Sequence, residues 1–203
     1  MNVQLVSFLK LPYHIQMETR NWRNQSNVAE YFKISHISKE MHIEWLESLK
    51  ENKPKNVAFM IVADGQNVGV TYFHSIKYDA GEADWGIYIC RDNLRGKGMG
   101  TEVLKKSLVY AREVLKLKVV FLDVLKNNFI AVSLYEKLGF SAIGDVNEGY
   151  FLRYRKVLCK EGIGKALRRL IRNIRCLCKN DLRERIKNDY VLKAIIIEVS
   201  QVN

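Results

Sequence analysis

No uninterrupted apolar run approaches the ~18 residues of a membrane-spanning helix, so no transmembrane segment is expected. Residues 1–14 hold a short apolar patch but neither a basic leading segment nor a small-residue cleavage site, which speaks against a secretory signal and makes a cytoplasmic protein the simplest reading. Cysteine is sparse. Cys90 and Cys159 stand alone, Cys176 and Cys178 form a C-x-C pair, and with no second pair or nearby histidines no zinc-type spacing is completed. Plain thiols and no metal site are therefore expected. Internal repeats and low-complexity tracts are also missing. What is present is 48% apolar and 27% charged, a soluble globular composition, in 203 residues that suffice for one domain with an appendage. The formal charge of +11 is unevenly spread: from Lys160 onward 11 Lys and Arg face 5 Asp and Glu, leaving 22 against 17 before it. A domain over 1–159 and a basic extension over 160–203 follow. Such a balance admits nucleic acid, an anionic membrane surface or an anionic small molecule as partner.

Hydrophobic periodicity orders the elements. Residues 13–32 read as helix in one or two pieces, and Ser38 caps an amphipathic helix with Ile43, Leu46 and Leu49 on one face, ending near Asn52. Residues 57–63, the turn formers Asp64 and Gly65, residues 68–76 and then 83–89 read as a three-stranded antiparallel meander. A helix over 101–115, an apolar strand over 119–125, a helix over 128–138 stopped by Gly139, and strands over 140–143 and 150–157 complete the domain. The fold class is α/β of the α+β kind, a central mixed, mostly antiparallel sheet with helices on both faces.

Between a strand and a helix lies Arg95-Gly96-Lys97-Gly98-Met99-Gly100. Glycine reaches positive φ without penalty and lets a ligand approach the backbone. Successive N–H groups and the helix dipole can then receive a pyrophosphate, with Arg95 and Lys97 adding charge. Alone, the loop also reads as a basic tight turn. It lacks the Gly-Lys-Ser/Thr of a P-loop and the parallel βαβ start of a dinucleotide fingerprint, which favours a different phosphate-bearing cofactor.

Arg95-x-x-Gly98-x-Gly100 resembles the coenzyme A signature of the GNAT superfamily of acetyltransferases. Asn128-x-x-Ala131-x-x-x-Tyr135-Glu136-Lys137-Leu138-Gly139-Phe140 resembles its second signature, at the spacing the superfamily uses. The resemblance covers residues 3–158. It implies acetyl-CoA as cosubstrate and a sheet that splays after the strand ending near Ile89. It places backbone groups of Ile89 and Arg91 on the acetyl and pantetheine, and Arg95, Gly96, Lys97, Gly98, Met99 and Gly100 on the pyrophosphate. Ala131 joins that set, and Asn128 would cap its helix and hydrogen-bond the pantetheine arm. Tyr135 is similar to the tyrosine that protonates the coenzyme A sulfur, a phenol of pKa ~10 facing a thiolate of pKa ~8.5. A core tyrosine anchoring the helix is the competing reading. Glu82 and Asp84 share one face of their strand, opposite Trp85 and Ile87, and Glu82 is the candidate base against the alternative of a solvated polar edge.

Trp22-Arg23-Asn24 followed by Val28, and Ile37-Ser38-x-Glu40-x-His42-x-x-Trp45, look like the pattern of a narrower branch. Its members are nucleotide-aminosugar N-acetyltransferases of pseudaminic acid biosynthesis, which acetylate the 4-amino group of a UDP-linked dideoxy sugar, of the UDP-4-amino-4,6-dideoxy-N-acetyl-β-L-altrosamine type. The same pattern occurs in relatives that acetylate ribosomal-protein N-termini. The resemblance thus implies direct transfer, in a ternary complex, to a UDP-linked 4-amino-4,6-dideoxy sugar. Trp22 and Trp45 can stack on sugar or uracil, Arg23 can pair with a diphosphate, and Asn24 and His42 belong to the same substrate set. Helix packing for the tryptophans and a surface position for His42 are the plain alternatives. Two rival functions remain: a protein N-acetyltransferase with an open groove, and a non-catalytic acyl-CoA-binding or membrane-docking module.

Residues 162–179 place Ile163, Leu167, Leu170, Ile171, Ile174 and Leu177 opposite Lys165, Arg168, Arg169, Arg172, Arg175 and Lys179 at helical spacing. An anionic membrane surface is one expected partner, giving a peripheral protein, and self-association or docking on the domain is the other. Nucleic acid ranks last, because this stretch offers almost no aromatic side chains for stacking.

Overall fold

The structure, a computed structural model, describes residues 1–158, and the expected basic extension lies outside the described residues. Strand β1 (Val3–Ser7), a 3-10 turn (Phe8–Lys10), α1 (Tyr13–Arg23), α2 (Ser26–Ala29) and α3 (Lys39–Ser48) precede a meander of β2 (Val57–Ala63), β3 (Gln66–Lys77) and β4 (Glu82–Ile89). A second 3-10 turn (Asp92–Leu94), α4 (Met99–Glu113), β5 (Val119–Leu125), α5 (Phe129–Lys137), β6 (Ser141–Val146) and β7 (Phe151–Val157) follow. The strands form one sheet in the order β1-β2-β3-β4-β5-β7-β6, antiparallel except between β4 and β5.

Local chemistry sets the element ends. Ser38 Oγ accepts the Met41 N–H at 3.1 Å to cap α3, and Asn128 Oδ1 accepts the Ala131 N–H at 3.2 Å to cap α5. Each satisfies a donor that a helix start leaves orphaned. Asp64 and Gly65, with φ of 47° and 83°, form the tight β2–β3 turn, whose positive angles match the twist of the strands. Strand β1 is not expected from the sequence. Its five residues show only brief alternation, and pairing with β2, from Val3 opposite Ala63 to Ser7 opposite Phe59, supplies the order that the local pattern lacks.

Two cores lie on opposite faces of the sheet. Val103, Leu104 and Ala111 of α4 and Tyr135 of α5 cover Phe59, Ile61, Phe73, Trp85, Val120 and Leu122. On the other side, Phe8 and the α3 residues Leu46 and Leu49 cover Ala58, Met60 and Val70. Between β4 and β5 the sheet parts. Glu82, Ala83 and Asp84 pair with Val119, Val120 and Phe121, after which β4 from Trp85 to Ile89 pairs with β3 alone and β5 from Leu122 to Leu125 with β7 alone. The resulting wedge is the splay that the resemblance implies, and it begins at Trp85.

Candidate active site

Along the wedge, residues 85–89 of β4 have no β5 partner, so a row of backbone N–H and C=O groups faces the gap. An extended amide-bearing ligand can use such a row as another strand would. At its open end the chain passes into the glycine loop. Gly96 and Gly98 hold φ of 73° and 80°, and a Cβ built on either meets no atom within 4 Å. Gly98 is the N-cap of the 15-residue α4, so the loop's N–H groups and the positive end of the helix dipole meet over open space, with Lys97 exposed beside them. Met99 can add only its backbone, because its side chain is 1% exposed in the core. Gly100 packs the loop closely on α5: a Cβ there would lie 3.2 Å from Leu134 Cδ2, a tight contact that asks that side chain to give by a few tenths of an ångström. These features fit a ligand with a pyrophosphate and an extended amide arm.

Arg95 turns away from the loop's open face. Its Nη2 donates to Ile89 O at 3.1 Å and to Asn27 O at 2.8 Å, and its Nη1 lies 3.0 Å from Asp92 Oδ1. The guanidinium thereby fixes the end of β4 against α2. Arg91 is exposed, and Ala131 packs at the margin of the larger core.

A cavity of about 550 Å³ joins the wedge to the face under α1–α3. At the wedge it is lined by Trp85, Ile87, Val124, Asn128 and Tyr135, and on the other side by Tyr72, His74, Asp84, Tyr88 and Asp123, with Arg23, His42, Trp45 and the loop before α3 above them. Tyr135 is 7% exposed and stands edge-on to Trp85 at 6.2 Å between ring centroids. Burial pushes its phenol well above the ordinary value, so it keeps its proton at neutral pH. Gly86 makes the cavity floor possible. A Cβ on it would lie 2.5 Å from Tyr72 Cζ, so only glycine lets that ring cross β4.

The charges on the floor are matched. Arg153 Nη2 donates to Asp84 Oδ1 at 2.6 Å and its Nη1 to Asp123 Oδ1 at 2.8 Å, while Lys33 Nζ donates to Asp123 Oδ2 at 2.5 Å. Two carboxylates therefore face two cations. Arg23 adds a further positive charge at the roof: its Nη2 donates to Ile34 O at 2.7 Å, its guanidinium carbon lies 3.6 Å from the Phe32 ring centroid, and its buried Nη1 has no hydrogen-bond partner among the described residues.

Of the residues singled out by sequence, Tyr135, Asn128, Arg23 and His42 line this cavity together. Glu82 does not; it sits at the start of β4 between Lys77 and Val119, and Asp84 two residues on takes the cavity position. Trp22 also lies off the cavity, donating from Nε1 to Glu18 Oε1 at 3.2 Å and packing on the smaller core. Asn24 is a clasp. Its Nδ2 donates to Ile37 O at 2.9 Å and its Oδ1 accepts the Ile37 N–H at 2.8 Å, which fixes the loop roofing the cavity. His42 is buried, and its Nε2 donates to Gln16 O at 2.9 Å, joining α3 to α1. Sequence reasoning missed Lys33, Tyr72, His74, Asp123 and Arg153. For Tyr72 and His74 the signal was their alternate spacing on one strand face; for the other three no local signal exists.

Residues 12–141 match the family model of the acetyltransferase (GNAT) domain. The chain belongs to the GNAT acetyltransferases. It is accordingly an acyltransferase that uses acetyl-CoA. Over 139 residues it is 28% identical to acetyltransferase PseH of Campylobacter jejuni, covering 68% of this chain and 85% of that protein. It is 31% identical over 102 residues to spermidine N(1)-acetyltransferase of Escherichia coli, covering 49% of this chain and 54% of that one. The GNAT fold is shared with Vibrio cholerae spermidine N-acetyltransferase in complex with CoA and spermine, at a TM-score of 0.66 and 23% identity over 77% of this chain and 95% of that one. It is shared too with C. jejuni PseH in complex with acetyl coenzyme A, at 0.58 and 22% over 78% and 100%. Among the described residues no helix is long and apolar enough to cross a membrane, and no group of His, Cys, Asp and Glu is placed to hold a metal.

Proposed function

We propose that this GNAT enzyme acetylates the amine of a small anionic acceptor, a UDP-linked 4-amino-4,6-dideoxy sugar, by direct transfer in a ternary complex. The charge balance of the cavity carries this reading. A polycationic acceptor calls for carboxylates free to receive it, whereas Asp84 and Asp123 are already matched by Arg153 and Lys33. Arg23, whose charge no carboxylate matches among the described residues, tilts the cavity it lines toward an anion such as a diphosphate. Trp45, Tyr72 and Tyr88 offer aromatic faces to a sugar or base, and the roof formed by the loop before α3 suits a compact acceptor better than an extended peptide. Likeness to PseH supports the same choice.

Acetyl-CoA supplies the activated acetyl thioester. Within this reading, backbone groups from Ile89 to Arg91 hold the amide arm, and the N–H groups of residues 96–100 with Lys97 hold the pyrophosphate. Asn128 orients the arm from the start of α5, and Tyr135 keeps a proton ready for the departing sulfur. The test is thiol release from acetyl-CoA with UDP-4-amino sugars beside spermidine and N-terminal peptides. Turnover on the nucleotide sugar is expected; turnover confined to spermidine or peptides would overturn the acceptor while leaving the acetyltransferase assignment. The extension over 160–203 is proposed, from its sequence alone, to bind an anionic membrane surface, and equal sedimentation of full-length and 1–159 protein with anionic vesicles would refute that.

A further inference from the structure

An amine acceptor is an ammonium at neutral pH, and a group on the cavity wall must take its proton before the nitrogen can attack. The carboxylates there are poorly suited. Asp84 is bound by Arg153, and Asp123 by both Arg153 and Lys33, so their oxygens are already engaged. Among the lining histidines, His42 has committed its Nε2 to Gln16 O.

His74 is placed differently. It stands on β3 opposite Asp84 of β4 and lines the same cavity as Tyr135. Directly after it the β3–β4 pairing shifts register, and Ser75 adopts a left-handed φ of 52°. A bulge of this kind re-aims neighbouring side chains and is over-represented beside active sites. Here it brings Ser75 Oγ to 3.2 Å from His74 Nδ1. In the tautomer where Nδ1–H donates to that hydroxyl, Nε2 keeps its lone pair, and it makes no hydrogen bond among the described residues.

We propose that His74 is the general base of this acetyltransferase, its Nε2 taking one proton from the acceptor ammonium, with Ser75 as the positioning residue that fixes the tautomer. The step converts ammonium and imidazole into amine and imidazolium. The imidazolium then releases its proton to water, which accounts for the one net proton set free when an ammonium becomes an amide. Charged groups reach His74 from every neighbouring element: Asp84 of β4 and Asp123 of β5 favour its protonation, while Arg153 of β7 and Lys33 of the loop before α3 oppose it. Tyr72 packs beside it on its own strand. Burial outweighs the carboxylates and holds the ring below its usual pKa, hence neutral and able to accept at pH 7.

The inference rests on the acetyltransferase activity and not on which amine is accepted. Full-length wild type and His74→Gln are compared in kcat and kcat/KM from pH 5.5 to 9 on the best acceptor of the panel. The expected result is a loss of about 100-fold at pH 7 that lies in kcat, disappearance of the acidic limb, and a gap that narrows as the amine's own pKa is approached. Ser75→Ala should lose several-fold and keep the limb. Activity of His74→Gln within threefold of wild type, or a loss confined to KM with the acidic limb intact, would overturn the proposal. Imidazole 15N resonances of the wild-type protein give a readout that needs neither an acceptor nor a folded variant. At pH 7.5 the His74 ring is expected neutral with the proton on Nδ1; a ring protonated at both nitrogens, or on Nε2 alone, overturns it.

Discussion

The proposed donor and acceptor sides of the wedge are assembled from different material. Toward α4 and α5, the site is made chiefly of backbone, with Asn128 and Tyr135 added: two positive-φ glycines at a helix start, an unpaired strand edge, and a helix held close through Gly100 and Leu134. Toward α1–α3, it is made of side chains that the topology gathers from distant places, Arg23, Lys33, Tyr72, His74, Asp84, Asp123 and Arg153 among them. A site that uses backbone groups needs a run of residues with particular φ values, and so leaves a contiguous motif. A site that uses side chains needs only that each strand bring one residue to the right place.

The largest effect expected is on the donor side. Tyr135→Phe keeps the ring against Trp85, Phe140 and Tyr154 and deletes only the hydroxyl. We expect kcat to fall about 100-fold or more, with coenzyme A affinity unchanged, since the contacts proposed for it lie in the loop and strand-edge backbone, Lys97 and Asn128, none of which this change touches. Steady-state thiol release and calorimetric titration with coenzyme A check this. Parallel losses in both would break the comparison, by showing that the Tyr135 hydroxyl also carries cofactor binding.

Next comes the floor of the acceptor side. In Gly86→Ala the new methyl collides with Tyr72, and either the ring enters the cavity or β4 shifts. Overpacking of this kind destabilises by about 1–3 kcal/mol. We expect the acceptor KM to rise about tenfold, taking 1.4 kcal/mol as a factor of ten, while the KM for acetyl-CoA holds. Adding Tyr72→Ala should relieve the collision and restore part of the stability, measured by thermal unfolding.

Arg153→Gln sharpens the comparison from its electrostatic side. The guanidinium bridges Asp84 and Asp123 and is 28% exposed in its side chain, so its loss should cost about 1–2 kcal/mol after solvent screening. More telling is the charge left behind. With Lys33 alone on the floor beside two carboxylates and Arg23 at the roof, the cavity loses its net positive charge, and spermidine turnover should rise several-fold relative to the nucleotide sugar. An unchanged acceptor ratio would mean that the floor does not select by charge.

The same contrast explains what was legible in the sequence. The glycine loop, the Asn128 cap, the meander and both later helices could be read because each depends on local φ, capping or periodicity, whereas Tyr135 is singled out only by its resemblance to the second signature. Alternation placed Glu82 and Asp84 on one face, but which of them meets the cavity depends on where β4 parts from β5, and that is a property of the sheet. Arg95 could be assigned to a phosphate loop by position, whereas its bonds to Ile89 and Asn27 depend on α2 lying alongside. Arg153 carries no local mark; its role comes from β7 lying next to β5.

Acid should expose the difference most gently. All four histidines, His14, His36, His42 and His74, precede β4, so none belongs to the donor half. Burial holds His42 below its ordinary 6.5, and its Nε2–H bond to Gln16 joins α3 to α1. The unfolded chain therefore takes up a proton at pH values where the folded one still refuses it. Stability from this residue is complete above the unfolded value and declines as pH falls from about 6.5 toward the depressed folded pKa. His74, also depressed, adds a decline of the same sign on the same side. Between pH 7 and 5.5, hydrogen exchange should lose protection in α1 and α3 before α4 and α5, and His42→Gln should flatten part of that decline. Equal loss across both halves would show that the two faces of the sheet open as one unit, and that the acceptor roof has no separate stability to lose.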